Sequence, residues 1–241
     1  CFKSYDEYLS DLEDDSPKTK FSKFSQPITF KANHSKKFHS WSPYVQGFSS
    51  EFVDHIIEKY HLDQNSYIID PFVGTGTTSV SAKLKNVNSI GIEMMPLMSF
   101  MSDVKTHWKF SLIPKLKTHQ KTLLEKIKKT NPAELPFLKR TDSHFSGSVL
   151  NNLLKIKQFI LDLQEKNDPC LPFFKLALGS ILIRSSRLTR SPSLGYPKKE
   201  KIISPNDPYI FYVEKISQII SDLMWAQKNM KNITESQIIN D

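Results

Sequence analysis

Cysteine is nearly absent from this sequence of 241 residues, which holds only Cys1 and Cys170. That excludes a disulfide framework and a cysteine-built zinc site, and the seven histidines show no paired metal-ligand spacing with the cysteines, so no metal is expected. Long apolar runs are lacking too: Leu171 to Ile183 is the longest, is interrupted by Pro172 and Lys175, and falls short of the roughly 20 residues that span a bilayer. The acidic, apolar-poor opening lacks the basic start and greasy centre of a secretory signal, so a cytoplasmic location is expected. Carboxylates are missing from residues 16 to 50, which carry Lys18, Lys20, Lys23, Lys31, Lys36 and Lys37, whereas residues 1 to 15 are acidic. Glycine is scarce, at seven residues, and no Pro-Pro dipeptide occurs among the 14 prolines.

What is present bounds the answer further. A hydrophobic fraction of 39% suffices for one sizeable core, and a net charge of +8 favours a polyanionic partner. Apolar spacing from Phe48 to Tyr60 predicts an amphipathic helix. Ser66 to Asp70 then reads as a strand, Pro71 to Gly76 as a tight turn, the stretch through Ala82, Lys83 and Leu84 as a helix, and Ser89 to Glu93 as a second strand. This βαβ unit implies a parallel sheet.

Beyond Met94 the periodicity is helical, with Asp207 expected as an N-cap and Pro208 as first helical residue of the last helix. A strand returns only at Ser236 to Ile239, and three strands make a thin sheet. The organisation expected is therefore a flexible charged arm (1–37), an α/β cofactor-binding core (38–104), a large helical insertion that contacts nucleic acid (105–234) and a returning core strand (235–241).

Gly74 and Gly76 sit where a strand's carboxyl end meets a helix amino end, the place where an open α/β sheet binds ligands. Ser79 stands where a dinucleotide fingerprint would want its third glycine, and no Gly-Lys-Ser/Thr follows, so neither phosphate-binding pattern fits. Asp70 before the turn suits a cationic ligand group, and Glu93, seventeen positions beyond Gly76, suits a ribose diol. S-adenosylmethionine satisfies both carboxylates and offers its own carboxylate to the turn's amides. The alternative is a turn and a solvated strand end with no ligand.

The run Asp70-Pro71-Phe72-Val73-Gly74-Thr75-Gly76-Thr77-Thr78 resembles the cofactor motif of DNA methyltransferases that modify exocyclic amino groups of adenine or cytosine. Ser42-Pro43-Tyr44, within Trp41 to Phe48, resembles the segment that closes over the methionine part of the cofactor. Glu93-Met94 is similar to the ribose-binding acid and the residue stacked on adenine, and Asp241 falls where a polar residue meets the adenine amino group. The resemblance implies a Rossmann-like methyltransferase sheet, incomplete here, with S-adenosylmethionine as cofactor and DNA as partner.

One departure is plain. Such enzymes carry Asp, Asn or Ser followed by Pro-Pro-Tyr/Phe, which accepts the amino protons and stacks the flipped base. Asn206-Asp207-Pro208-Tyr209 comes one proline short and reads instead as a helix start. The catalytic residues are therefore expected outside this sequence, downstream or on a second polypeptide. Arg184, Arg187, Arg190, Lys198, Lys199 and Lys201 form a basic stretch for phosphate contacts, the three arginines being expected on one helix face; helix-end charges and a solvated loop are the alternative. Cys170 is expected to be a buried structural thiol. An RNA methyltransferase and a noncatalytic subunit of a restriction system are the other functions this pattern admits.

Overall fold

The computed structural model describes residues 29–44, 47–136, 141–190, 193–230 and 234–240, residues 141 and 142 by their backbone alone. Most of the charged arm (1–28) and Asp241 lie outside the described residues.

Helix α1 (Ser50–Lys59) starts where Ser49 accepts a hydrogen bond from the Phe52 amide at 3.3 Å, which satisfies one of the amides a first turn leaves unpaired. It buries Val53 and Ile57 against Ala82 and Val87. Strand β1 (Tyr67–Asp70), helix α2 (Thr77–Leu84), strand β2 (Asn88–Ile92) and helix α3 (Pro96–Thr106) follow. Then come α4 (Ile113–Lys129), the short α5 (Thr141–His144), α6 (Gly147–Glu165) and α7 (Leu171–Ser185). A small antiparallel hairpin of β3 (Thr189–Arg190) and β4 (Leu194–Gly195) precedes α8 (Asp207–Asn229) and β5 (Ser236–Ile239).

The sheet is parallel throughout, in the order β1-β2-β5, with Ile69 opposite Ile90 and Ile90 opposite Gln237. Among the described residues nothing pairs with the far side of β1, where Tyr67 and Ile69 are exposed. The molecule is a mixed α/β structure with a small parallel sheet and many helices.

Three expectations need correction. The region from 95 to 234 is not helical throughout, because the β3–β4 hairpin interrupts it and residues 131–136 and 196–203 run without regular structure. Asn206, not Asp207, holds the N-cap position of α8; Asp207 already belongs to the helix, and its Oδ2 accepts from the Ser204 amide at 2.9 Å. The arm does not extend to 37 either: Phe30–Ser35 form a 3-10 turn that buries Phe30 and Asn33, and Asn33 accepts from the Ser50 amide at 2.8 Å.

The reason for the last correction is a buried carboxylate far along the chain. Asp222 on α8 accepts from the Phe38 amide at 3.0 Å and from Trp41 Nε1 at 2.8 Å. Phe38 stacks on Trp108 with ring centroids 4.9 Å apart, and Trp41 meets Phe173 edge to face. One core therefore runs from Val80 and Val104 beside the sheet through Phe38 and Trp41 into α4, α6, α7 and α8. No helix among the described residues is long and apolar enough to cross a membrane.

Candidate functional site

The turn after β1 is built from its own side chains. Asp70 Oδ1 accepts from the Phe72 amide at 3.0 Å, and Asp70 Oδ2 accepts from the Thr78 hydroxyl, so the carboxylate closes the turn and ties it to the first residues of α2. Gly74 and Gly76 adopt φ of 55° and 88°, a region that side-chain-bearing residues enter at a cost. Gly76 is required twice over, since a Cβ there would lie 2.6 Å from Ser102 Oγ on α3. Gly91 serves the same packing from β2: a Cβ on it would lie 2.8 Å from Val73 in the turn.

Glu93 joins the two strand ends. Its Oε2 accepts from the Gly74 amide at 3.0 Å and its Oε1 from the Met95 amide at 2.8 Å. Each carboxylate oxygen keeps a further lone pair for a ligand hydroxyl. Phe72 in the turn is 86% and Met94 next to Glu93 is 80% exposed, two large apolar side chains left uncovered among the described residues. An acid, an amide-rich turn and exposed apolar side chains at two adjoining strand ends are the kinds of group a nucleoside site would use.

The other expected residues relate to this turn in different ways. Tyr44 reaches it: its hydroxyl stands 3.8 Å from where a Cβ on Gly74 would be, and its ring packs edge to face on Phe30. Ser42 is fully buried and its hydroxyl finds no partner among the described residues, while Pro43 is exposed. Thr75, Thr77 and Thr78 are buried, so their side chains shape the turn and mainly their backbone can meet a ligand. Asp241 lies outside the described residues, but Asn240 beside it donates from Nδ2 to the carbonyl oxygens of Glu93 at 2.6 Å and of Met94 at 3.2 Å. Sequence reasoning passed over Asn240, although an amide closing a strand beside the expected polar position was a usable signal.

A cleft of about 460 Å³ opens next to Tyr44, lined also by Pro43, Arg184, Arg190, Lys201 and Lys215. The three arginines do not share a helix face. Helix α7 ends at Ser185, so Arg184 lies on it, Arg187 follows it and Arg190 sits in β3. Arg184 lies 3.6 Å over the Phe211 ring and pairs with Glu214 at 2.8 Å. Lys201 donates to the Ile183 carbonyl at 2.9 Å, capping α7, and burial followed by the nearby Arg184 lowers its pKa. Arg190, Lys198 and Lys199 are exposed.

The chain also brings together residues whose spacing gave no metal signal: His119, Asp168 and Cys170 offer ligand atoms within 4.8 Å of one another. Lys115 approaches the same Asp168 oxygen as His119, both at 3.0 Å, and Cys170 donates its amide to Asp168 Oδ1 at 2.9 Å. Burial pushes the Cys170 thiol up to about 12. A neutral thiol and a lysine on the shared carboxylate make this a polar staple between α4 and the start of α7, and Cys170 is buried as expected.

The family described as DNA methylase matches residues 6–98. Over 79 residues the chain is 40% identical to the Type II methyltransferase M.BsoBI of Geobacillus stearothermophilus, covering 33% of this chain and 16% of that protein. It is 37% identical over 95 residues to the Type II methyltransferase M.MjaII of Methanocaldococcus jannaschii, covering 39% and 17%. With the Type II methyltransferase M.AvaI of Nostoc sp. it shares 31% identity over 78 residues, covering 32% and 16%. The matches thus span about a sixth of the length of these relatives. No solved structure gives a significant match. The similarity to the family described as DNA methylase is thus carried by residues 6–98, which hold the strand, the glycine turn and the acid described above.

Proposed function

We propose that the crevice between the Gly74–Gly76 turn and Glu93 binds S-adenosylmethionine, on a sheet that forms part of a Rossmann-like fold. We propose further that the chain is the cofactor-binding part of an enzyme methylating an exocyclic amino group of adenine or cytosine in DNA. The observation that carries this is the pairing of the Gly74 amide with Glu93, with the exposed Phe72 in the same turn and the exposed Met94 next to the acid in sequence.

The residues present fit the cofactor. Glu93 retains acceptor capacity for a ribose diol, Phe72 and Met94 supply apolar faces for the adenine, and Asn240 stands at that end. The turn's backbone, with positive φ at Gly74 and Gly76, suits the amino-acid end, and the Tyr44 hydroxyl lies close to Gly74. When bound, the cofactor supplies an electrophilic methyl group on a sulfonium. Asp70 keeps the turn in shape and contributes negative potential on the side where that cation sits. Arg184, Arg190 and Lys201 line the neighbouring cleft, and the exposed Arg184, Arg187, Arg190, Lys198 and Lys199 contact DNA phosphates.

Activation of the amino group needs a segment this sequence does not contain, since it has no Pro-Pro dipeptide. A further polypeptide segment, in the same protein or in a second one, supplies it, and the unpaired side of β1 with its exposed Tyr67 and Ile69 is where an added strand would join the sheet.

Equilibrium dialysis with labelled S-adenosylmethionine tests the binding proposal: retention displaced by S-adenosylhomocysteine and not by NAD is expected, and no retention overturns it. Supplying the Pro-Pro-Tyr/Phe segment and measuring label transfer tests the reaction. Label in duplex DNA is expected, and label in folded RNA alone overturns the choice of substrate.

A further inference from the structure

The glycine turn rests on a buried cation. Lys105 on α3 is 2% exposed, and its Nζ donates to the Thr75 carbonyl oxygen at 3.0 Å, across 30 positions of chain. Among the described residues no carboxylate lies within ion-pair distance of it. Burying an ammonium with no counter-ion is costly, and a hydroxyl or amide could satisfy one carbonyl without that cost. The neighbouring charged groups add to it: Lys215 on α8 repels Lys105, and His39 is itself held neutral by burial and by Lys105 and Lys36. One turn earlier on the same helix, Ser102 abuts Gly76, so Ser102 and Lys105 together form the shelf on which Thr75 and Gly76 lie.

We propose that Lys105 is a positioning residue for the ligand crevice: its ammonium fixes the Thr75–Gly76 peptide from behind and adds positive potential beneath the amides that receive the ligand's carboxylate. The proposal rests on the S-adenosylmethionine reading given above. Burial, and then Lys215, lower the pKa of Lys105 to about 7. The charge that favours the ligand carboxylate is therefore lost as pH rises through neutrality, and binding above that point draws a proton back onto Lys105. Folding responds the other way. The unfolded chain holds this proton up to the ordinary lysine value of 10.5, so stability increases over the range in which affinity falls.

Calorimetric titration of the intact chain with S-adenosylhomocysteine, at about pH 6 and about pH 8.5 in buffers of different ionisation enthalpy, tests this. The unmodified chain is expected to lose about tenfold in affinity between the two and to take up protons at the higher pH. Lys105→Met and Lys105→Gln, the second retaining a donor without charge, are expected to bind weakly at both pH values, with that proton uptake gone. A variant that fails to fold leaves the decision to the unmodified chain, in which pH-independent affinity without proton uptake overturns the proposal. Folded variants that keep the full pH profile overturn it too. Absence of binding by the unmodified chain at every pH refutes the nucleoside reading and the role of Lys105 with it.

Discussion

The Gly74 amide donates to Glu93 Oε2 at 3.0 Å, so the turn after β1 and the acid after β2 form one hydrogen-bonded unit. Asp70 shapes the same turn from within, through the Phe72 amide and the Thr78 hydroxyl. A ligand that occupies this crevice meets a backbone already fixed, which lowers the ordering it must impose.

Gly76 is expected to tolerate substitution far less than Gly74. Gly76→Ala meets both a left-handed backbone and Ser102, for a loss of about 2 to 4 kcal/mol, whereas Gly74→Ala meets only the backbone cost of about 1 to 2 kcal/mol. Urea unfolding of the two variants checks the order. Equal losses would mean that α3 does not press on the turn.

Phe72→Ala and Met94→Ala are expected to leave stability within about 0.5 kcal/mol, since both side chains are exposed. The same changes should each weaken S-adenosylhomocysteine about fivefold by removing an apolar face. Melting temperature and affinity, measured on the same samples, separate the two effects.

Asp222→Ala leaves the Phe38 amide and Trp41 Nε1 as buried donors without an acceptor, and is expected to cost roughly 3 kcal/mol. Because residues 38–41 lead directly to Tyr44, ligand affinity should fall as well. Denaturant unfolding read by Trp fluorescence, followed by a binding titration, checks both outcomes.

Stability should climb with pH from acid to about pH 9. Burial first, then Lys105 and Lys36, lower His39 to about 3, so its contribution, present above its ordinary value of 6.5, is lost as pH falls toward 3. Burial first also lowers Lys105 to about 7, and Lys83 and Lys215 to about 8; these depressed lysines contribute stability that is full above 10.5 and lost as pH falls through those values. Cys170 opposes the trend above its ordinary value of 9.0, because the unfolded thiol then ionises while the buried one does not. Melting temperatures across this range check the slope, and a maximum near neutrality would contradict it.

How much of this was legible in the sequence follows from the distance over which each feature is made. Strand, turn and helix from Tyr67 to Leu84 are fixed by neighbours, whereas the sequence did not show that Asp70 bonds within its own turn or that Glu93 accepts from the Gly74 amide. The packing of residues 30–41 was hidden, because its acceptor, Asp222, lies 184 positions beyond Phe38. Lys105 was not singled out, because nothing local distinguishes a lysine that folds inward to a carbonyl 30 residues away. The arginines at 184, 187 and 190 have helical spacing, but the helix stops at Ser185, where Ser186 turns extended and its hydroxyl bonds the Ile183 carbonyl at 3.0 Å.

Titration calorimetry of S-adenosylhomocysteine into the chain and into Glu93→Gln and Glu93→Ala bears most directly on the crevice. Binding by the unmodified chain is expected, weakened about tenfold or more in Glu93→Gln and further in Glu93→Ala, since each bond to an ionised acceptor is worth about 1.5 to 3 kcal/mol. Equal affinity in all three proteins, or no heat in any, would contradict a nucleoside site at this acid.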